Sequence, residues 1–174
     1  MSKRISMKEY QVALSEKLGD AAMTGSTGSI STVLGVLVGE DRWLVHMNDV
    51  SEVLQMPEIT PVPLTHSWFL GVANVQGILY GIADLAAYFG GAHTTVEQKT
   101  RILLVSPRFE VNSGLLIGRT LGIRNVTDFK RVVDDGTHSQ MGVAGIFKDK
   151  RGEIWYELNL QDLVRDEGFL QVAA

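Results

Sequence analysis

The stretch that most constrains this chain is residues 71–85, Gly71-Val-Ala-Asn-Val-Gln-Gly77-Ile-Leu-Tyr-Gly-Ile-Ala-Asp-Leu85, two short apolar runs hinged at Gly77 with Asp84 the one charge among them. Val72, Val75, Ile78, Leu79, Tyr80 and Ile82 suit a pleated, packed surface, and the glycines permit a tight bend or a backbone approach that a Cβ would block. A buried β-hairpin is predicted. The same order returns later as Gly142-Val-Ala-Gly-Ile-Phe147, a charged turn Lys148-Asp-Lys-Arg151, and Gly152-Glu-Ile-Trp-Tyr-Glu-Leu158. Each copy runs into a Leu-rich segment, Asp84-Leu-Ala-Ala-Tyr-Phe89 in one and Leu160-Gln-Asp-Leu-Val164 in the other. A duplicated unit of strand, turn, strand and helix is therefore expected.

Around each copy the chain reads as further short strands. Residues 32–38 and 43–47 flank the turn Gly39-Glu-Asp41, and in the second half 99–105 and 113–118 flank a turn at 107–112, so 113–118 fills the slot of 43–47. Residues 48–54 are read as one helical turn capped by Asn48, followed by a strap that Pro57, Pro61 and Pro63 force into an extended path along an edge. Residues 123–126 form a short extended run, 134–139 an exposed loop, 158–166 a helix and 168–172 an apolar tail. At the start, Met7, Tyr10, Leu14, Leu18 and Ala21 recur at helical steps, predicting an amphipathic helix over 5–23 that either docks on a partner or caps the core. Many short strands with glycine turns read as small all-β barrels with minor helices. The expected division is 1–30 helix and linker, 31–97 first barrel, and 98–174 second barrel with its helix and tail.

Composition narrows the chemistry. With 174 residues, 45% hydrophobic and 21% charged, the chain reads as an ordinary globular one able to bury a core. A formal net charge of −4 without a Lys/Arg run argues against a nucleic-acid groove or an anionic membrane surface. No cysteine is present, which excludes disulfides and thiolate chemistry. Without an apolar leader or an 18-residue apolar run, a cytoplasmic protein with no membrane insertion is expected. None of His46, His66, His93 and His138 has a metal-ligand neighbour at helical spacing, so no metal and no cofactor are predicted. His46 near Asp49 could pair a base with its orienter, the only footing for a small-ligand barrel enzyme, but no nucleophile accompanies them. Trp68-Phe69, after the strap, is read either as core or as an exposed anchor for a partner.

Several runs together resemble a known family. Val50-Ser-Glu-Val53, Ile59-Thr-Pro-Val-Pro63, Gly71-Val-Ala-Asn-Val-Gln-Gly77 with Ile82-Ala-Asp-Leu85, then Arg101-Ile-Leu-Leu-Val105, Gly114-Leu-Leu-Ile117 and Gly142-Val143 follow the order and spacing of the CheW-like domain. The resemblance implies two five-stranded SH3-like β-barrel subdomains around a shared core. It implies no catalysis, but an adaptor that couples the cytoplasmic tip of a methyl-accepting receptor to the regulatory domain of a CheA-like histidine kinase, in arrays at the inner membrane. The N-terminal helix, the Gly71-Val-Ala-Asn-Val75 run and the Gly168-Phe-Leu-Gln-Val-Ala173 ending are similar to the version serving type IV pilus twitching motility; a flagellar chemotaxis coupling protein is the alternative. Carried over by motif, the receptor-facing positions are Val50, Glu52, Gln76, Gly114, Thr120 and Ile123, and Gly71 is a kinase-binding position where a side chain does harm. The chain departs from the family pattern at Gln76, where Arg is usual, at Gly118 and Thr120, where Asp and Val are usual, and at Gly81, which lacks the usual Pro.

Overall fold

Unbroken apolar runs mark the strands that are covered on both faces. In the computed structural model, which describes residues 5–6, 31–134, 136 and 141–174, every residue of strand β8 (Ser113–Ile117) is buried. In β7 (Arg101–Val105), Ile102 and Leu104 point into one core while Leu103 and Val105 point into another. Strands β2 (Thr32–Val38) and β3 (Asp41–His46) behave likewise, Val33 and Leu44 facing one side and Val36, Val38, Trp43 and Val45 the other. A strand with two buried faces has no use for polar alternation, which is why these runs read as continuous.

The remaining strands are β1 (Ile5–Ser6), β4 (Val50–Gln55), β5 (Phe69–Val75), β6 (Ile78–Asp84), β9 (Arg119–Asn125), β10 (Lys130–Val132), β11 (Val143–Lys148) and β12 (Ile154–Leu158). Among the described residues there are three short helices: α1 (Leu85–Tyr88) and α2 (Leu160–Arg165) each follow a hairpin, and α3 (Glu167–Leu170) follows α2. The strands make two six-stranded sheets, ordered β1-β4-β7-β8-β6-β5 and β10-β11-β12-β3-β2-β9. Each sheet wraps its own interior, Leu54, Ile82, Ile102 and Leu116 in the first and Leu44, Phe129, Phe147 and Trp155 in the second. Between them lies a larger shared core of residues from both sheets, including Val36, Val45, Leu103, Leu115 and Leu163. This is the fold of two SH3-like subdomains on a common core, with few small helices.

The duplication is visible in the pairing. The hairpin β5–β6 joins β8 in parallel, and β11–β12 joins β3 in parallel. Gly71 and Gly142 both have positive φ. Asp84 and Asn159 cap the helices that follow, and their backbone N–H groups donate to the Trp68 and Gly142 carbonyls.

The boundary expected at residues 97/98 does not separate the sheets. The first-half hairpin β2–β3 sits in the second sheet, and the second-half hairpin β7–β8 sits in the first. Each half therefore supplies its opening hairpin to the other half's barrel. The chain changes sheet across the 3-10 turn Met47–Asp49 and at Gly118, whose N–H donates to the Leu37 carbonyl.

Other expectations shift as well. Residues 50–55 are strand, not the helical turn read from Asn48, because β4 pairs along β7. Of the extended run at 123–126, residues 123–125 belong to the longer β9 while Val126 opens a 3-10 turn, and β10 went unread in the sequence. The tip of the β5–β6 hairpin is open to solvent, with Ile78 48% and Leu79 58% exposed, since β5 lies at the sheet edge. Ile5 and Ser6, placed at the start of a helix, pair instead with Val53 and Glu52. The rest of that helix and most of the loop at 134–139 lie outside the described residues.

Candidate functional site

The two crossing strands, β4 and β9, occupy equivalent places in the two sheets and carry four of the carried-over positions. Val50 is 3% exposed and opposite Val105, so its side chain belongs to the shared core and offers no contact surface. Glu52, two residues on and opposite Leu104, is half-buried. On β9, Thr120 is exposed and Ile123 packs against the shared core that also holds Val50. Gly114 stands inside the first barrel, where an added Cβ would come within 2.8 Å of both Ile102 and Ile82. Val50 and Gly114 are therefore packing positions, and of the others Gln76 and Thr120 are exposed while Glu52 and Ile123 are half-buried.

Gln76 sits apart from that set, at the turn between β5 and β6. Its φ of 55° and that of Gly77, 85°, make the two-residue left-handed bend that matches strand twist, and Asn74 Oδ1 accepts the Gly77 N–H at 2.9 Å. The side chain is exposed beside Ile78 and Leu79. On the same hairpin, Gly71 is buried with φ 135°, and the proline strap lies directly against it. Thr60 N–H donates to the Val72 carbonyl at 2.8 Å and Val72 N–H returns to the Thr60 carbonyl at 2.9 Å. The strap thus covers the edge of β5, as its prolines predict.

A charged network stands where the chain leaves β3. Asp49, 8% exposed, accepts from Arg108 of the 107–109 turn. His46 Nε2 meets Glu157 Oε1 of β12 at 2.8 Å. The pairing of His46 with Asp49 supposed for an enzyme is not formed, because each has another partner. The hydrogen bond to Glu157 raises the His46 pKa above 6.5, burial opposes it, and the charges of Glu157 and Asp49 add to the rise. A folded-state pKa raised in this way adds stability that is complete below the unfolded value and is lost as pH climbs through the raised one. The difference in Tm between wild type and His46→Gln is expected to be largest below the ordinary value of 6.5 and to fade as pH rises above it. A difference that grows with pH would contradict the ion pair.

Trp68 is no exposed anchor. Its ring stacks on Phe169 of α3 at 5.8 Å and meets Tyr88 edge-on at 5.0 Å. Tyr88 donates its hydroxyl to Asp166, and burial together with that bond raises its pKa. Beyond α3 the tail runs beside the strap: His66 N–H donates to the Val172 carbonyl and Ala174 N–H to the Leu64 carbonyl. The apolar tail read from the sequence is thus a docked element that packs Phe169 on Trp68 and leaves the indole half-buried.

Two interleaved SH3-like barrels, each with an exposed sheet edge, define the fold class of the described residues. The chain belongs to the CheW-like family: the description "CheW-like domain" matches residues 32–168. PilI of Pseudomonas aeruginosa is 29% identical over 143 residues, spanning 80% of this chain and 79% of that protein. The chemotaxis protein CheW of Thermotoga maritima is 28% identical over 96 residues, 55% of this chain and 62% of its own. The solved scaffolding protein TtCheW of Thermoanaerobacter tengcongensis shares the fold with a TM-score of 0.66 at 20% identity, covering 80% of this chain and 95% of that one.

Proposed function

We propose that this CheW-like scaffold is a non-catalytic adaptor that joins the cytoplasmic tip of a methyl-accepting receptor to a histidine kinase's regulatory domain, in the control of type IV pilus twitching. The observation that carries the reading is the similarity to PilI along four-fifths of the chain, which includes the Gly71 hairpin. The adaptor works from the cytoplasm, at receptor arrays. The kinase face is the strap-covered hairpin: Gly71 lets residues 59–61 lie flat on β5, and Ile78 and Leu79 offer apolar surface at its tip. The receptor face uses Glu52, Thr120 and Ile123 on the crossing strands, with Gln76 at the first barrel's edge.

Gln76 where the family has Arg changes the grip in kind. A neutral amide makes a hydrogen bond of roughly half the strength of a charge-assisted one, so this receptor contact is expected to depend little on salt. The test is a titration of the chain against a kinase regulatory domain and, separately, a soluble receptor tip. Wild type binds both. Ile78→Ser/Leu79→Ser is expected to weaken the kinase contact about tenfold or more with the tip contact intact, and Glu52→Ala/Gln76→Ala the reverse. Folded wild type that binds neither partner removes the adaptor reading.

A further inference from the structure

At one end of the second barrel lies a concavity of about 460 Å3 rimmed by Arg42 of β3, Arg119 and Arg124 of β9, and Lys150 and Arg151 of the β11–β12 turn. Three carboxylates share it, Asp128, Asp149 and Glu153, leaving a net charge of +2 in a chain whose formal net charge is −4. Those carboxylates are already engaged. Glu153 pairs with Arg42 at 2.9 Å, and Asp128 lies 4.0 Å from Lys150. Asp149 accepts from the Trp155 indole at 3.1 Å and from the backbone N–H groups of Arg151 and Glu153.

Three guanidinium groups remain. Arg119, Arg124 and Arg151 make no ion pair with a carboxylate within 4 Å among the described residues. Arg124 lies 5.3 Å over the Trp155 ring and donates to the Leu121 carbonyl at 3.3 Å, which holds its plane at the cavity wall. An arginine fork held in this way is suited to a planar carboxylate. Arg119 and Arg124 come from β9 and Arg151 from the β11–β12 turn, and the concavity they line also holds three in-chain carboxylates, which disfavour a compact dianion more than carboxylates spaced along a chain.

We propose that this concavity binds an acidic segment of a protein partner, its carboxylates seated on Arg119, Arg124 and Arg151. The site goes beyond the adaptor reading and does not depend on it. The test uses the full chain and a fluorescein-labelled hexaglutamate peptide, followed by anisotropy, with the Trp155 indole N–H resonance as the local reporter. Saturable binding that moves this resonance and weakens at least about tenfold in Arg119→Ser/Arg151→Ser is expected, with Lys130→Ser/Lys148→Ser, which removes the same charge from residues that do not line the concavity, keeping most of the affinity. Added salt should also weaken it, since the partners are exposed. Three results would overturn the proposal: no saturable binding, equal loss in both double variants, or displacement of the peptide by an equal concentration of inorganic phosphate. All four positions are exposed, so the variants are expected to keep the wild-type Tm.

Discussion

Gly71→Asp is expected to lower stability by about 4 kcal/mol and to strip the strap from the first barrel. A Cβ at this position would lie 2.1 Å from the Thr60 carbonyl oxygen and 2.9 Å from Pro61 Cα, both of them backbone atoms that no rotamer change can move. The φ of 135° is itself costly for an L side chain, about 1–3 kcal/mol. Retreat of the strap breaks both Thr60–Val72 backbone hydrogen bonds, each worth roughly 1 kcal/mol. For a chain of this length the loss corresponds to a fall in Tm of roughly 8–16 °C. Thr60→Pro, which removes one of the two N–H donors without touching β5, separates strap from strand. It should show part of the stability loss and the same weakening of kinase binding. A Gly71→Asp protein with wild-type Tm would mean that the strap does not lie on β5.

Asp84→Ala is expected to cost about 3 kcal/mol. Its carboxylate is 1% exposed and sits at the join of β6 and α1. One oxygen accepts the Thr94 hydroxyl at 2.7 Å and caps α1 through the Ala87 N–H; the other takes the Thr94 N–H at 2.7 Å and lies 3.5 Å from His93 Nδ1. Loss of the cap costs about 1 kcal/mol, and loss of two hydrogen bonds to a charge a further 2 or so. Thr94→Val, which removes only the hydroxyl, should cost about 1 kcal/mol, and the double variant little more than Asp84→Ala alone. Strictly additive losses in denaturant melts would show that Asp84 does not act through Thr94. Because residues 91–95 lead from one half of the chain into the other, Asp84 fixes the path by which β7 and β8 enter the first sheet.

Much of this was legible. The repeat at Gly71 and Gly142 announced two like units, the prolines announced an edge strap, and the motif order announced the CheW-like family that the comparison then showed. Residues whose role follows from backbone conformation read well, since glycine and proline restrict φ wherever they stand. Positions whose role depends on which face is covered read poorly. Val50 and Ile123 carry equally apolar side chains on the two crossing strands, yet one is sealed in the shared core and the other is half-buried at its edge. Trp68 gave no local sign that α3 would cover it. His46 and Asp49 stand three residues apart, but their partners, Glu157 and Arg108, are distant in the chain. No spacing rule reaches that far.

The sequence by itself determined the local units: where the chain bends, most of the runs that extend, and that the hairpin is built twice. Only the tertiary structure decided that the halves exchange their opening hairpins, so that each barrel is made from both. The physical reason lies in burial. Strands β2, β3, β7 and β8 are apolar on both faces, and such a strand is satisfied only with one face in a barrel and the other in the core between barrels. Either barrel could offer that environment on the evidence of hydrophobic pattern alone. The choice is made by long-range pairing, β3 with β12 and β8 with β6, which the one-dimensional pattern does not encode.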